Sequence, residues 1–426
     1  MEDRTQTPPA TPPDTDPGRR GIAARIHLGR VFTPLPGEYL LIVSTVLVLT
    51  GFGLVMILSA TSATATESGG NPYSAVLKQA LFAAIGIPLM FIASRMPVGF
   101  WKRMAWPFLI FALLVQLLVY VPGLGVHAGG NQAWIQVGPF QAQPSEFVKM
   151  GMALWIAAVL ARKGPLLSNW RHVYVPVVPG ALLAMGTVLA GDDLGTTMVL
   201  VALLIGALFF SGVKLRIFVL PLVVFVAGCF VFAVTNSNRL ARILSFLNPD
   251  TASCYYNECY QPLHGIWGLA GGGIFGLGLG NSKEKYDWLP AAPNDYIFAI
   301  VGEELGLVGC LLLLSLFVVL AVGIFRIIRR TDDLFVRVAS GAIVTWITAQ
   351  AFMNIAVVLR IFPVLGVPLP FVSQGGTSLV SVLFASGVLL SFTRSLPQPV
   401  ALTSPVVTTA AAPAPRGRRP VEDVAR

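Results

Sequence analysis

Apolar stretches of about 17 to 25 residues recur along most of this chain, each long enough to cross a hydrocarbon core as a helix, and this repetition restricts the fold more than any motif. A membrane barrel would instead show alternating segments of about 10 residues, and none is present. The composition agrees: 55% of the 426 residues are hydrophobic and 12% are charged, against the roughly 25% charged residues of soluble domains. The expected fold class is therefore an all-α integral membrane protein.

The first apolar run, Tyr39 to Ala60, exceeds the roughly 7 to 15 residues of a signal-peptide core and reads as an uncleaved span, although LSATSATA resembles a cleavage site. Further spans are expected at 76–94, 104–121, 144–161, 173–190, 195–211, 217–234, 296–322, 338–358 and 377–393, giving about ten transmembrane helices. An even number places both termini on one side. Making that side cytoplasmic puts most of the 29 Lys and Arg residues in inside segments, as the positive-inside rule requires. Residues 1–38, with TQTPPATPPDTDPGRR, and 396–426 then read as disordered cytoplasmic tails flanking a polytopic domain at 39–395. The outside segments are 122–143, 360–376 and a large extracytoplasmic loop, 235–294, between helices seven and eight. The last is too long for a simple connection, so function is expected to face outward.

The net charge of +9 does not indicate a nucleic-acid partner, because the basic residues lie between spans rather than on one face. Cys229 and Cys310 sit alone in apolar runs and read as small buried thiols. Cys254 and Cys259 share the outside loop CYYNEC, where a local disulfide is plausible. His127 and His264 read as ordinary loop residues, and no Ser/His/Asp, CxxC, HExxH or P-loop pattern occurs.

Four polar constellations interrupt the apolar pattern. In WLPAAPNDYIFAIVGEELGLVG, Pro290 and Pro293 block a helix, Asn294 is a good N-cap, and Asp295 is expected in the first turn of the eighth span. There it is either a helix-capping acid or a functional one. Glu303 and Glu304 lie two turns deeper. At 100° per residue, Glu303 is about 80° from Asp295, so the two could border one cavity, while Glu304 is nearly opposite. Carboxylates at such depth are functional candidates, and like charge with desolvation suits a general base or proton carrier. In GGNQAWIQVGPFQAQPSEFVK, Glu146 and Lys149 share a face at i, i+3; they form a structural ion pair, or Lys149 meets an anionic substrate. Asp192 and Asp193 of GDDLGTT form a solvated, helix-capping turn or a site. In FPVLGVPLPFVSQGGTS, Ser373, Gly375 and Gly376 lead into the last span and offer free N–H groups to an anion, or form a hinge.

Together, NDYIFAIVGEELGLVG, QPSEFVK, DDLGTT and PLPFVSQGGTS resemble the SEDS family (shape, elongation, division and sporulation; FtsW/RodA/SpoVE) over roughly residues 38–395. The resemblance implies a ten-helix peptidoglycan glycosyltransferase that polymerises lipid II into glycan strands on the outer face of the bacterial cytoplasmic membrane, beside a class B penicillin-binding protein. It assigns the catalytic aspartate to Asp295. Substrate contacts would come from Lys149, Glu146, Trp134, Gln132, Asp193, Glu303, Ser373, Gly375 and Gly376. LVMILSATSAT and LGNSKEKYDWLPAAPNDY are most similar to the FtsW branch, in its actinobacterial form, which implies a place at the division septum with other divisome proteins.

Two departures stand out. Where relatives often carry an arginine before the tryptophan, this chain reads Asn131-Gln132-Ala133-Trp134, leaving Arg360, Lys283 or Lys285 to supply a cation. Where relatives often have Glu-Ala-His-Thr-Asp, it has Ala291-Ala292-Pro293-Asn294-Asp295, so Asp295 acts alone or with a divalent cation. Rival readings are a RodA-like elongation polymerase, a lipid II flippase or ion-coupled transporter using Asp295, Glu303 and Glu304, and a non-catalytic scaffold.

Overall fold

The computed structural model of the protein describes residues 36–67, 73–128, 131–138, 140–218 and 259–397, with a few single positions between them. Within these lie α1 (Gly37–Glu67), α2 (Ser74–Arg95), α3 (Val98–Leu117), β1 (Gly125–Ala128), β2 (Asn131–Val137), β3 (Phe140–Ala142), α4 (Ser145–Arg162), α5 (Trp170–Leu189), α6 (Leu194–Phe210), α7 (Tyr260–Gly272), α8 (Ile297–Arg330), α9 (Leu334–Val358) and α10 (Gly376–Thr393).

Seven of these segments, α1, α2, α3 with its 3-10 extension, α5, α8, α9 and α10, are long and apolar enough to span a membrane. The chain is a multi-pass, predominantly helical membrane protein. α4 has a spanning length, but Glu146, Lys149 and Arg162 lower its hydropathy. It can carry them because it is enclosed: every residue except Phe147, Ala161 and Arg162 is buried, against α3, α6 and α9. Helices α2 and α10 pack closely, and a Cβ on Gly387 would lie 2.4 Å from the Met90 carbonyl oxygen. Small residues at such crossings let backbones approach.

The structure departs from the hydropathy reading in several places, and the first helix, for one, runs to Glu67 rather than Ala60. The third helix begins at Val98, not at 104, because Pro97 starts it and helical bonding continues through Lys102 and Arg103 regardless of their charge. Residues 125–142 form a three-stranded antiparallel sheet, ordered β1-β2-β3, with Ile135 opposite Gly125 and Ala142. Part of the supposed 235–294 loop is the helix α7. The eighth helix runs to Arg330 rather than 322, its terminal Arg329 and Arg330 complementing the helix dipole. Most of the expected span 217–234 lies outside the described residues.

Helix α8 is also broken at Gly306, whose backbone (φ 68°, ψ −166°) is not helical. The glycine-rich segment 273–278 lies in the break. Leu277 and Gly278 donate N–H bonds to the carbonyls of Glu303 and Glu304, while Leu307 and Val308 donate to those of Gly273 and Ile274. The Glu303 and Glu304 carbonyls and the Leu307 and Val308 N–H groups, parted by the break, thus find partners from protein, as hydrocarbon surroundings demand. A Cβ on Gly276 would lie 2.1 Å from the Glu304 carbonyl oxygen, which is why this approach uses glycine.

Candidate active site

The N-termini of α4, α6, α8 and α10 meet at one end of the bundle. Gln143, just before α4, donates its N–H to Thr377 Oγ1 (3.1 Å) and its side-chain amide to Asp193 Oδ2 (3.0 Å). The Gln374 N–H bonds the Pro293 carbonyl at 2.8 Å, joining the approaches to α10 and α8. Four helix dipoles therefore present their positive ends to one region, where acidic groups and anionic ligands are favoured.

Asp295 lies in the turn just before α8, half-buried, with its N–H bonded to the Ala291 carbonyl at 3.2 Å. Helix α8 starts at Ile297 with Tyr296 at the N-cap position and no side-chain cap bond, so Asn294 does not cap it. The two prolines and the positive φ of Ala291 (52°) prolong the turn past Asn294. A Cβ on Gly366 would stand 3.7 Å from Asp295 Oδ2, which places the carboxylate beside the 362–375 segment. Tyr296 is wholly buried, and α7 reaches it through Gly265, where a Cβ would come within 2.7 Å of the ring.

Behind this turn runs a buried polar network. Lys149 is 1% exposed; its Nζ donates to Glu146 Oε1 and Gln350 Oε1, both at 2.8 Å, and lies 5.0 Å from the Trp346 ring centre. Trp346 Nε1 also donates to Gln350 Oε1 (2.8 Å), and Gln350 Nε2 donates to the Pro368 carbonyl (2.9 Å). One helical turn further along α9, Asn354 Nδ2 donates to the carbonyls of Asp295 (2.7 Å) and Val367 (2.8 Å). Glu146 and Lys149 thus form an internal ion pair that reaches the Asp295 turn through α9.

The remaining sequence-derived candidates occupy several environments. Asp193 is 4% exposed and caps α6, accepting the Thr196 N–H at 2.9 Å, while its neighbour Asp192 stays exposed. Gln132 and Trp134 lie on β2. The Gln132 amide holds the Val119 carbonyl (3.0 Å) and its N–H the Gly191 carbonyl (2.9 Å), tying the sheet to the α5–α6 turn. Ser373 Oγ accepts the Leu369 N–H at 2.8 Å. The Gly375 N–H is not free: the buried Gln79 accepts it at 3.3 Å and donates to the Ser373 carbonyl at 3.4 Å. Gly375 and Gly376 remain half-buried at the start of α10.

Glu303 and Glu304 both hold the segment after the α8 break. Glu303 accepts Ser282 Oγ and the N–H groups of Lys283 and Glu284. Glu304 accepts Ser59 Oγ, the Ser282 N–H and Lys285 Nζ. One segment, residues 282–285, thus gathers both carboxylates. Lys285, 3% exposed, is consumed in this anchoring and is no cation for a substrate; Lys283 is exposed, and Arg360 is half-buried.

His264 is no ordinary loop residue. It is buried, its Nδ1 lies 2.6 Å from Glu284 Oε2, and the rings of Tyr260, Trp267 and Trp288 surround it at 4.3, 4.9 and 6.0 Å. Burial pushes the Glu284 carboxyl above its ordinary range, and Glu303 adds to the rise, while the His264 hydrogen bond opposes it. Cys259 is disulfide-bonded, while Cys254 and Cys229 lie outside the described residues. Cys310 is a free, buried thiol. No group of three or more His, Cys, Asp or Glu side chains among the described residues is placed to hold a metal ion.

The FtsW/RodA/SpoVE family model, described as cell cycle protein, matches residues 39–397. The chain belongs to this family. It is 37% identical over 374 residues to the probable peptidoglycan glycosyltransferase FtsW of Mycobacterium tuberculosis, covering 88% of this chain and 70% of that one. It is 34% identical to the stage V sporulation protein E of Bacillus subtilis, covering 84% and 97%. Among solved structures it resembles RodA of Thermus thermophilus (25% identity, TM-score 0.62, 84% of this chain and 97% of that one). It also resembles a chain of a peptidoglycan synthase complex (24% identity, TM-score 0.67, 83% and 97%).

Within this family fold, the residues that sequence reasoning passed over are Gln79, His264, Gln350 and Asn354. For the last two a signal existed: Trp346, Gln350 and Asn354 recur at i, i+4, i+8 on one face of an otherwise apolar helix.

Proposed function

We propose that this chain is an FtsW-like peptidoglycan glycosyltransferase that polymerises lipid II at the outer face of the bacterial cytoplasmic membrane, with both termini cytoplasmic and Asp295 as general base. A sugar hydroxyl of an incoming lipid II attacks the anomeric carbon of the growing strand. The new C–O bond forms as the bond to the lipid-linked pyrophosphate breaks, the pyrophosphate leaves with the bonding pair, and the hydroxyl proton passes to the Asp295 carboxylate. The observation that carries this reading is the position of Asp295: a half-buried carboxylate, on a turn clamped to the 362–375 segment, where four helix N-termini converge.

Those helix ends supply fixed positive potential for the departing pyrophosphate. Of the three cations the sequence offered, exposed Lys283 and half-buried Arg360 keep side chains not consumed by the anchoring of Glu303 and Glu304. The similar chain from a peptidoglycan synthase complex supports pairing with a crosslinking enzyme, here a class B penicillin-binding protein. The carboxylates that a proton-coupled transporter would need mobile, Glu303 and Glu304, hold backbone and side-chain donors instead.

The test is polymerisation of lipid II by the purified protein with its partner, with and without divalent cations. Asp295→Ala is expected to abolish glycan product while leaving the melting temperature unchanged. Undiminished product from this variant would remove Asp295 from the mechanism.

A further inference from the structure

We infer that Asn354 is a positioning residue that sets the place of Asp295, an inference that rests on the reading of Asp295 as the base. Asn354 is 1% exposed, so it meets no substrate. Its single amide nitrogen spans two chain segments, donating to the Asp295 carbonyl at 2.7 Å and to the Val367 carbonyl at 2.8 Å. The orientation is not interchangeable. Flipping the amide would set Oδ1 against two carbonyl oxygens, whereas the observed orientation spends both hydrogens and leaves Oδ1 buried without a partner among the described residues. An unsatisfied buried acceptor is unfavourable, and here it accompanies the bridging of the two segments.

The bridge has a second point and a rigid foundation. Gln374 and Pro293 join the same two segments by a backbone bond at 2.8 Å, so the Asp295 turn is held on both sides of residue 295's neighbourhood. One turn before Asn354, Gln350 grips the Pro368 carbonyl and is itself fixed by Lys149 and Trp346. The carbonyls of residues 367 and 368 are therefore pinned by successive rungs of one helix face. Gly366, with φ 67°, turns the chain so that it passes beside Asp295 Oδ2. Without Asn354, two buried carbonyls lose their donor and the turn can shift against the segment. A misplacement of about 1 Å at a reacting group costs about a hundredfold in rate.

The experiment measures kcat and KM for lipid II in the purified complex of the full chain with its crosslinking partner. Asn354→Leu and the equal-sized Asn354→Asp are compared with wild type, with Asp295→Ala, and with Thr348→Val. The last removes only bonds within α9. Both Asn354 variants are expected to lose about a hundredfold in kcat with KM unchanged, the pattern of a residue acting on the reacting group rather than on substrate binding. Thr348→Val is expected to keep wild-type kcat. If Asn354→Leu does not fold, Asn354→Asp decides alone. Wild-type kcat in Asn354→Asp, or a raised KM with unchanged kcat, overturns the inference. Product from Asp295→Ala would instead remove the reading on which it rests, so the two failures are separable.

Discussion

Gly306→Ala tests how the broken helix and the segment lying against it share their hydrogen bonds. At φ 68° and ψ −166° the backbone occupies a region essentially restricted to glycine, and another residue there costs about 1–3 kcal/mol. The added Cβ would also lie 2.4 Å from Gly276 N and from the Ile274 carbonyl oxygen, so alanine cannot stay without expelling the segment. Straightening α8 would restore two ordinary i to i+4 bonds, Leu307 to Glu303 and Val308 to Glu304. It would sacrifice the four bonds to residues 273–278, at 2.9, 3.0, 3.0 and 3.1 Å. The net loss of two bonds, at about 0.5–1.5 kcal/mol each, together with freed buried groups, holds the segment seated by roughly 2–4 kcal/mol in the wild type. The strain of about 1–3 kcal/mol that alanine adds falls on the seated state alone, so it raises the population with a released segment by about 5- to 150-fold. Lys285 reports the release, because it is 3% exposed when the segment is seated. Trypsin cleavage after Lys285, followed by mass spectrometry on protein in detergent, should accelerate by that factor in the variant. An unchanged rate at Lys285 would refute the account of the break.

Lys149→Met leaves Glu146 buried and unpaired, and is expected to destabilise the protein by about 3–5 kcal/mol in detergent melts. The double variant Glu146→Gln/Lys149→Met should recover most of that loss. Gln79→Ala removes the partner of the Gly375 N–H and the Ser373 carbonyl, with an expected cost of about 1–3 kcal/mol in the same melts. Glu284 predicts a pH dependence. Because burial raises its folded pKa above the ordinary 4.5, the folded state retains a proton that the unfolded chain has already released. The contribution to stability therefore falls as pH rises from 4.5 through the folded value, with a slope of at most about 1.4 kcal/mol per pH unit. Glu284→Gln should flatten that slope in melts across the mildly acidic range.

Hydropathy made the helices legible because lipid imposes a length and an apolar composition that run through the whole segment. Even α4 was readable, since its charges come near its ends and the rest is apolar. The sheet at 125–142 and helix α7 were not, because outside lipid the same polar and glycine-rich composition serves coil, strand and helix alike. The break at Gly306 was hidden for a different reason: one glycine within IFAIVGEELGLVG looks like any tolerated helical glycine until the incoming segment is known. The turn that carries Asp295 was legible from its two prolines. Its surroundings were not, since Asn354 lies 59 residues away in sequence and Gln374 meets the turn only through backbone atoms. The pairing of Glu146 with Lys149 followed from their spacing, but that Gln350 completes it did not.

The enclosed helix α4 has a consequence for how the protein is made. Glu146 and Lys149 lie in the first two turns of Ser145–Arg162, where a charge costs less than the roughly 2.5–3.5 kcal/mol of a helix centre, yet they leave it a poorer span than its neighbours, with only its own ion pair to soften the penalty. The second acceptor for Lys149, Gln350, lies 201 residues further on. At about 5–20 residues per second it emerges some 10–40 s later. During that interval the polar centre of the bundle is incomplete, and α4 depends on α3 and whatever the insertion machinery supplies until α9 arrives to close it.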